Sequence, residues 1–235
     1  MLINELILIN RRILRTDEPE RMPRPTMPSF EAARPTTHST LFHLGSLVSR
    51  GRFAEAETVA RALGGRLDAP ERLEWMRLRC LAAAGVGRHA AALDWATQGA
   101  RAAGQNETRF FFARERIQAL LNLGRYRDAE HALASAAVAE VSSAQTSLLR
   151  ARAAWHLART EEAVREARLA SSQAEVERNR PTLIEALRFQ ARLARESGDS
   201  GFARRCLDRA LRLATGGRDS SVDAAILADR SDLLA

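Results

Sequence analysis

The sequence predicts an all-α fold made of stacked helix hairpins, and three observations support this prediction. Ala, Leu, Arg and Glu, all strong helix formers, dominate the 235 residues, whereas aromatic residues are scarce. A six-residue motif recurs along most of the chain. An apolar stretch with helical spacing lies on each side of the motif, so that each copy marks the turn of a hairpin.

The recurring motif begins with a glycine in four of its five copies. The copies read GRFAEA at 51–56, GRHAAA at 87–92, GRYRDA at 124–129, ARTEEA at 158–163 and GDSGFA at 198–203. Their first residues are 36, 37, 34 and 40 positions apart. The glycine ends the first helix because it tolerates a left-handed backbone conformation. We expect the aromatic residue two positions later to fill the joint between the helices, and the Ala five positions later to allow their close approach.

This pattern resembles the tetratricopeptide repeat (TPR), a helix–turn–helix unit of about 34 residues. The resemblance covers roughly residues 38–214 and implies a right-handed superhelical stack of about five antiparallel hairpins, an α-solenoid. The chain departs from the family at Ala158, where glycine is usual, and it mostly lacks the proline that closes each unit. The matching residues are Gly51, Phe53, Ala56, Gly87, Ala92, Gly124, Tyr126, Ala129, Ala163, Gly198 and Ala203.

A final segment at 222–234 also has a helical pattern, with Ile226, Leu227, Leu233 and Leu234 on one stripe. A repeat stack needs a terminal cap with one polar face, and we expect this C-terminal helix to be that cap. The alternative is that it is the first helix of a truncated repeat.

The chain before the repeats divides into two segments, and the repeat domain is expected to span 38–235. Residues 1–15 have apolar side chains at helical spacing and predict an amphipathic helix. Residues 16–37 hold five of the seven prolines, which predicts a flexible or extended linker. The N-terminal helix is either a docking element, for a partner or for a homo-oligomer, or it precedes a natural start at Met22 or Met27. Its stripe is Leu2, Leu6, Ile9 and Ile13.

The composition bounds the class of protein. The formal net charge is +7 and every cation is Arg, which favours acidic partners, although an Arg-rich codon preference also explains the absence of Lys. Cys80 and Cys206 lie far apart, as expected of buried, reduced thiols in a cytoplasmic protein. No apolar run is long enough for a membrane span.

The sequence predicts no enzymatic activity, no cofactor and no metal site. It contains no nucleophile elbow, phosphate-binding loop, zinc-protease motif or paired-cysteine motif. The five histidines share no spacing that would place two of them on one helix face as metal ligands.

The TPR resemblance implies which residues line the concave groove, because the first helix of each hairpin faces it. The groove would be rich in guanidinium and amide groups, which suit an acidic or amphipathic peptide. The alternative is that Arg188, Arg192 and Arg195, with Glu185 and Glu196, form an ordinary salt-bridged helix face. The predicted groove residues are Arg77, Phe111, Arg114, Gln118, Asn122, Gln145, Arg152, Trp155, His156, Arg188, Arg192 and Arg195.

The predicted function is therefore a protein–protein interaction module, an adaptor or chaperone-like scaffold that holds a peptide segment of a partner in its groove. The family's clamp for C-terminal carboxylates is broken, because its positions fall on Leu149, Glu185 and Phe189. The alternative is a regulatory or sensor component of a bacterial transcription-control system, with its basic surface near nucleic acid. Direct nucleic-acid binding is not expected, since no helix-turn-helix reader is visible.

Overall fold

The computed structural model of the chain describes residues 37–63, 67–104, 107–135, 143–215 and 220–231. Within these ranges the backbone forms eleven α-helices and no strand. The helices are α1 Thr37–Ser49, α2 Phe53–Leu63, α3 Ala69–Gly85, α4 His89–Ala102, α5 Glu107–Asn122, α6 Tyr126–Leu133, α7 Ala144–His156, α8 Thr160–Val176, α9 Arg180–Glu196, α10 Ser200–Ala214 and α11 Ser220–Ser231.

The predicted N-terminal helix at 1–15 and all but the last residue of the predicted linker at 16–37 lie outside the described residues. The chain divides into two units, Met1–Arg34 and Pro35–Ala235, and every described residue belongs to the second. The first described helix begins at Thr37, one residue before the expected start of the repeats.

The two helices of each hairpin are joined by one kind of turn. In the third hairpin the Gly124 N–H donates to the Leu121 carbonyl at 3.1 Å, and the Arg125 N–H donates to the Leu120 carbonyl at 2.9 Å. These bonds satisfy carbonyl groups that would otherwise lack partners at the end of α5. The predicted role of the glycines is confirmed, and Ala158 adopts the same conformation without being glycine. The central φ angles are 70° at Gly51, 77° at Gly87, 72° at Gly124, 59° at Ala158 and 82° at Gly198.

Each hydrophobic core combines one hairpin with the first helix of the next. In the first core, Leu44 of α1 and Ala60 of α2 share a cluster with Leu78 of α3. The same arrangement recurs for α3–α5, α5–α7, α7–α9 and α9–α11. The hairpins therefore stack as predicted, because none buries its apolar face alone. The Ala that follows each turn by five positions is 0 or 1% exposed in every hairpin, at Ala56, Ala92, Ala129, Ala163 and Ala203.

In three hairpins the residue two positions after the turn glycine contacts the next hairpin, beyond the expected joint between the helices of its own hairpin. The Phe53 ring lies against Gly85 at the end of α3. The Tyr126 ring stacks on His156 at the end of α7, with centroids 4.1 Å apart and an interplanar angle of 6°. Between these two joints, His89 Nδ1 lies 3.4 Å from Asn122 Nδ2. Three consecutive hairpin joints are thus closed by three different pairs of residues.

The last described helix, α11, closes the final core. Its Ile226 is 0% exposed within the cluster formed by α9 and α10, whereas the neighbouring Leu227 is exposed. Asp229 accepts a hydrogen bond from Arg188 Nε at 2.5 Å. This helix takes the place that the first helix of a following hairpin has in the other cores, a position that fits both the expected cap and the alternative of a truncated repeat.

Two helical glycines predict opposite effects of the same substitution. A Cβ at Gly99 of α4 would lie 2.3 Å from ring carbons of the fully buried Phe112, so Gly99→Ala should destabilise the fold by about 1–3 kcal/mol through overpacking. A Cβ at Gly45 of α1 meets nothing within 4 Å, so Gly45→Ala should stabilise it by up to about 1 kcal/mol. Urea unfolding measures both, and stabilisation by both substitutions would contradict the packing of α4 against α5.

The turn at Ala158 predicts a stabilising substitution. An L-residue in the left-handed region costs about 1–2 kcal/mol, and glycine adds about 0.5–1 kcal/mol of unfolded-state entropy, so Ala158→Gly should stabilise the fold by about 0.5–1 kcal/mol. The control Ala113→Gly, inside α5, should destabilise it by about 1 kcal/mol. Thermal unfolding of the two variants beside the wild type tests this, and a lower melting temperature for Ala158→Gly would refute it.

Candidate binding groove

Three adjoining cavities run along the first helices of the last three hairpins, α5, α7 and α9. Their volumes are about 370, 370 and 320 Å³. The first two share Gln118, Asn122 and Arg152, and the last two share Trp155, Arg188 and Arg192, so that the cavities form one continuous groove. The predicted groove residues that line it are Arg114, Gln118, Asn122, Gln145, Arg152, Trp155, His156, Arg188, Arg192 and Arg195.

The other two predicted groove residues, Arg77 and Phe111, extend this surface toward the N-terminal hairpins. The guanidinium groups of Arg77 and Arg114 each lie 5.6 Å from the centre of the Phe111 ring. Arg77 also forms two bonds of 2.7 Å with the carboxylate of Glu74, one turn earlier on α3. Burial raises the pKa of the neighbouring Glu115, and Arg114 opposes this shift. Phe111 is thus a half-buried apolar surface between two cations.

A ladder of polar side chains connects the first helices across the middle of the groove. Arg114 of α5 donates to Gln145 of α7. Arg152 of α7 donates to Gln118 of α5 at 2.9 Å and to Glu185 of α9 at 3.1 Å. We use the term groove ladder for these three bonds. Through them the groove arginines hold consecutive hairpins together as well as facing the cavity.

Trp155 occupies the junction of the second and third cavities. Its indole N–H donates to Glu196 at 2.7 Å, and its ring meets the buried Phe189 edge-on at 5.9 Å. The guanidinium of Arg192 lies 5.7 Å from the centre of the same ring, a cation–π contact. Trp155 therefore presents an aromatic face, already attractive to a cation, in the wall of the groove.

The surroundings of His156 disfavour the charged form of its ring. Desolvation lowers its pKa from the ordinary value, and the charges of Arg192 and Arg152 lower it further. The ring stacks on Tyr126 on one side and lies 4.5 Å from the Trp155 ring on the other. An uncharged imidazole at this position offers one donor and one acceptor to the groove.

The described residues include few other groups that would indicate a metal site or a reactive side chain. No set of three or more His, Cys, Asp or Glu among them is arranged to hold a metal ion. Cys80 and Cys206 are free and buried, as predicted, and burial raises the pKa of the Cys80 thiol to about 12. Among the described helices, none has the length and apolarity needed to cross a membrane.

Comparisons with known proteins identify the fold. No family model and no curated protein matches the sequence. A solved structure of TTC0263, a thermophilic TPR protein of Thermus thermophilus, superposes with a TM-score of 0.66 at 17% identity, over 83% of this chain and 98% of that one. This chain has the tetratricopeptide repeat fold. MamA of Desulfovibrio magneticus RS-1 is also similar, with a TM-score of 0.54 at 15% identity over 78% of this chain and 97% of that one. The predicted TPR stack of antiparallel hairpins is confirmed.

The TPR register places the arginines at the groove, but it does not locate the carboxylates that accompany them. Glu185 and Glu196, expected as partners along α9, form their described bonds across to α7 instead, with Arg152 and Trp155. Among the described residues of the groove, six arginines stand beside five carboxylates. The carboxylates are Glu74, Glu115, Glu185, Glu196 and Asp229.

The sequence analysis did not predict three of these carboxylates, and only one of the three has a spacing in the sequence that could have revealed its partner. Glu74 lies three residues before Arg77, the spacing of an intrahelical ion pair. Glu115 and Asp229 carried none, because the first is adjacent in sequence to Arg114 and the second lies beyond the repeats. The described groove is therefore nearly balanced in charge and not strongly basic.

The environment of His156 predicts a pH dependence. Because its pKa is lowered in the folded state, the stability contributed by the neutral ring is fully present above the unfolded pKa of about 6.5. It is lost as the pH falls below that value and through the lower folded pKa. An NMR titration, assigned with His156→Gln, should give a midpoint below about 6.5. Arg192→Gln should raise this midpoint, whereas Arg168→Gln on the exposed side of α8 should leave it unchanged. A wild-type midpoint at or above the ordinary value would contradict the described contacts.

Proposed function

We propose that this protein is a protein–protein interaction module that binds an acidic or amphipathic peptide segment of a partner in the groove along α5, α7 and α9. One observation carries the proposal: the three cavities join into a continuous channel whose walls come from consecutive hairpins. A channel of this kind suits an extended or helical segment of another chain rather than a small molecule.

The polar groups of the groove support the proposal because the bonds that they now form with one another include exposed pairs that contribute little stability. The ion pair between Arg152 and Glu185 has 27% and 54% of its side-chain surface exposed. Exposed ion pairs of this kind contribute about 0–1 kcal/mol, so a peptide carboxylate can replace Glu185 at small cost. The amides of Gln118 and Asn122 can bond both the N–H and the carbonyl groups of a peptide backbone.

The apolar part of the groove supports an amphipathic ligand. Phe111 and Trp155 are both half-buried, so each keeps aromatic surface open to the solvent side. Aromatic residues in concave surfaces are frequent anchors of binding energy. A segment that alternates acidic and apolar side chains would use both kinds of contact, and the proposal assigns the chain no catalytic step.

Affinity capture with a groove variant tests the proposed function. The triple substitution Arg114→Gln, Arg152→Gln and Arg188→Gln removes three groove charges while keeping amide groups that can bond Gln145, Glu185 and Asp229. The matched control removes three exposed charges from second helices, with Arg61→Gln, Arg168→Gln and Arg212→Gln. We expect the groove variant to fold normally, by circular dichroism, and to lose its main partner protein from the native cell, whereas the control keeps it.

Two results would refute the proposed function. One is retention of the same partner by the groove variant, which would place the binding surface elsewhere. The other is steep, salt-dependent binding of the wild type to random duplex DNA, with loss of that binding in both variants, because it would favour the nucleic-acid regulator instead.

A further inference from the structure

The groove arginines differ in how their charge is compensated. Arg77 pairs with Glu74, Arg152 with Glu185 and Arg188 with Asp229, while Arg114 lies 3.6 Å from Glu115. For Arg192 the contact found within the described ranges is with the face of Trp155, at 5.7 Å, and the residue is exposed. Among the described residues, the positive charge of Arg192 is thus supported by an aromatic ring and has no carboxylate paired with it.

The carboxylates near Arg192 are held by other donors. Glu196, one turn later on α9, accepts the indole N–H of Trp155 at 2.7 Å. Asp229 of α11 accepts from Arg188 at 2.5 Å. Both acids therefore already have hydrogen-bonded partners, and the guanidinium of Arg192 keeps its fork of donors for a ligand.

The position of Arg192 in the groove indicates which part of a ligand it meets. Arg192 and Trp155 line both the cavity of about 370 Å³ toward α5 and the cavity of about 320 Å³ toward α11. Because the groove continues on both sides of this pair, it has room for a chain that extends in both directions from it. The walls of the last cavity include the apolar Ala191, Ala203 and Leu207, which can take a neighbouring apolar side chain.

We propose that Arg192, held over the face of Trp155, is the subsite that binds an Asp or Glu side chain of the partner's peptide segment. This inference rests on the proposed function and specifies the ligand chemistry at one point of the groove. A guanidinium binds a carboxylate through two parallel hydrogen bonds, and the Trp155 ring keeps the guanidinium in place while it does so. The bound carboxylate lies in the interior of the peptide segment, not at its C-terminus.

A peptide titration tests this subsite. The probe is a fluorescein-labelled hexaglutamate with an amidated C-terminus, so that side chains carry its carboxylates, and binding is read by fluorescence anisotropy. Arg192→Gln should weaken binding about tenfold or more, because a charge-assisted bidentate bond is lost. Arg192→Lys, which keeps the charge but not the fork, should fall between Arg192→Gln and the wild type. Arg168→Gln removes the same charge from exposed α8 and should change the affinity less than about twofold.

Several results would overturn the subsite. One is failure of the wild type to bind hexaglutamate, and another is an equal loss of affinity in Arg192→Gln and Arg168→Gln. A third is equally tight binding of a labelled hexaglutamine with a free C-terminus, whose peptide carries only the terminal carboxylate. Tighter, Arg192-dependent binding of a labelled thymidine hexanucleotide would assign the subsite to nucleic acid instead. The proposed function fails separately, since it is tested by partner capture with Arg192 intact. If the groove triple variant loses the partner but the peptide titration gives one of the contrary results, the proposed function stands and only the Arg192 subsite is refuted.

Discussion

The architecture depends on the fact that the apolar face of one hairpin is covered only by the next. The helix α3 illustrates this, since its Leu78 and Ala82 belong to the first core while its Cys80 and Ala83 belong to the second. The helices α5 and α7 are shared between two cores in the same way. A helix buried on two flanks has one side left for polar residues. In α5, α7 and α9 that side forms the groove, so the groove is a consequence of how the stack buries its apolar surface.

Local features of the fold were predictable, and features that depend on distances between helices were not. The left-handed turn at Gly124 and the buried Ala129 follow from the motif itself, because neighbouring residues determine them. The bond between Arg152 and Glu185 joins residues 33 positions apart, and its existence depends on how far α7 lies from α9. Asp229 lies on a helix outside the repeats, so no register of the motif assigns it to the groove.

Under the proposed function, the groove ladder gives the arginines two roles that constrain each other. A guanidinium that bridges α7 to both α5 and α9, as in Arg152, is already oriented toward the cavity, which lowers the conformational entropy lost when a ligand arrives. The same bonds compete with the ligand, because each carboxylate that accepts from an arginine must be displaced or shared. Charge complementarity in such a groove would act on specificity and association rate more than on affinity, and salt would weaken its effect.

The pairs that close the first joints between hairpins also restrict which unit the stack can lose. Removal of the second unit would bring Phe53 of the first against Asn122 of the third, where it now meets Gly85. The Asn122 amide would then face the Phe53 ring in place of the His89 imidazole that now lies beside it. The Phe53 ring would also lose the space that it has beside Gly85, which has no side chain. The units are similar enough to share one fold, but they are not interchangeable, so loss of one unit is opposed by the mismatch it creates.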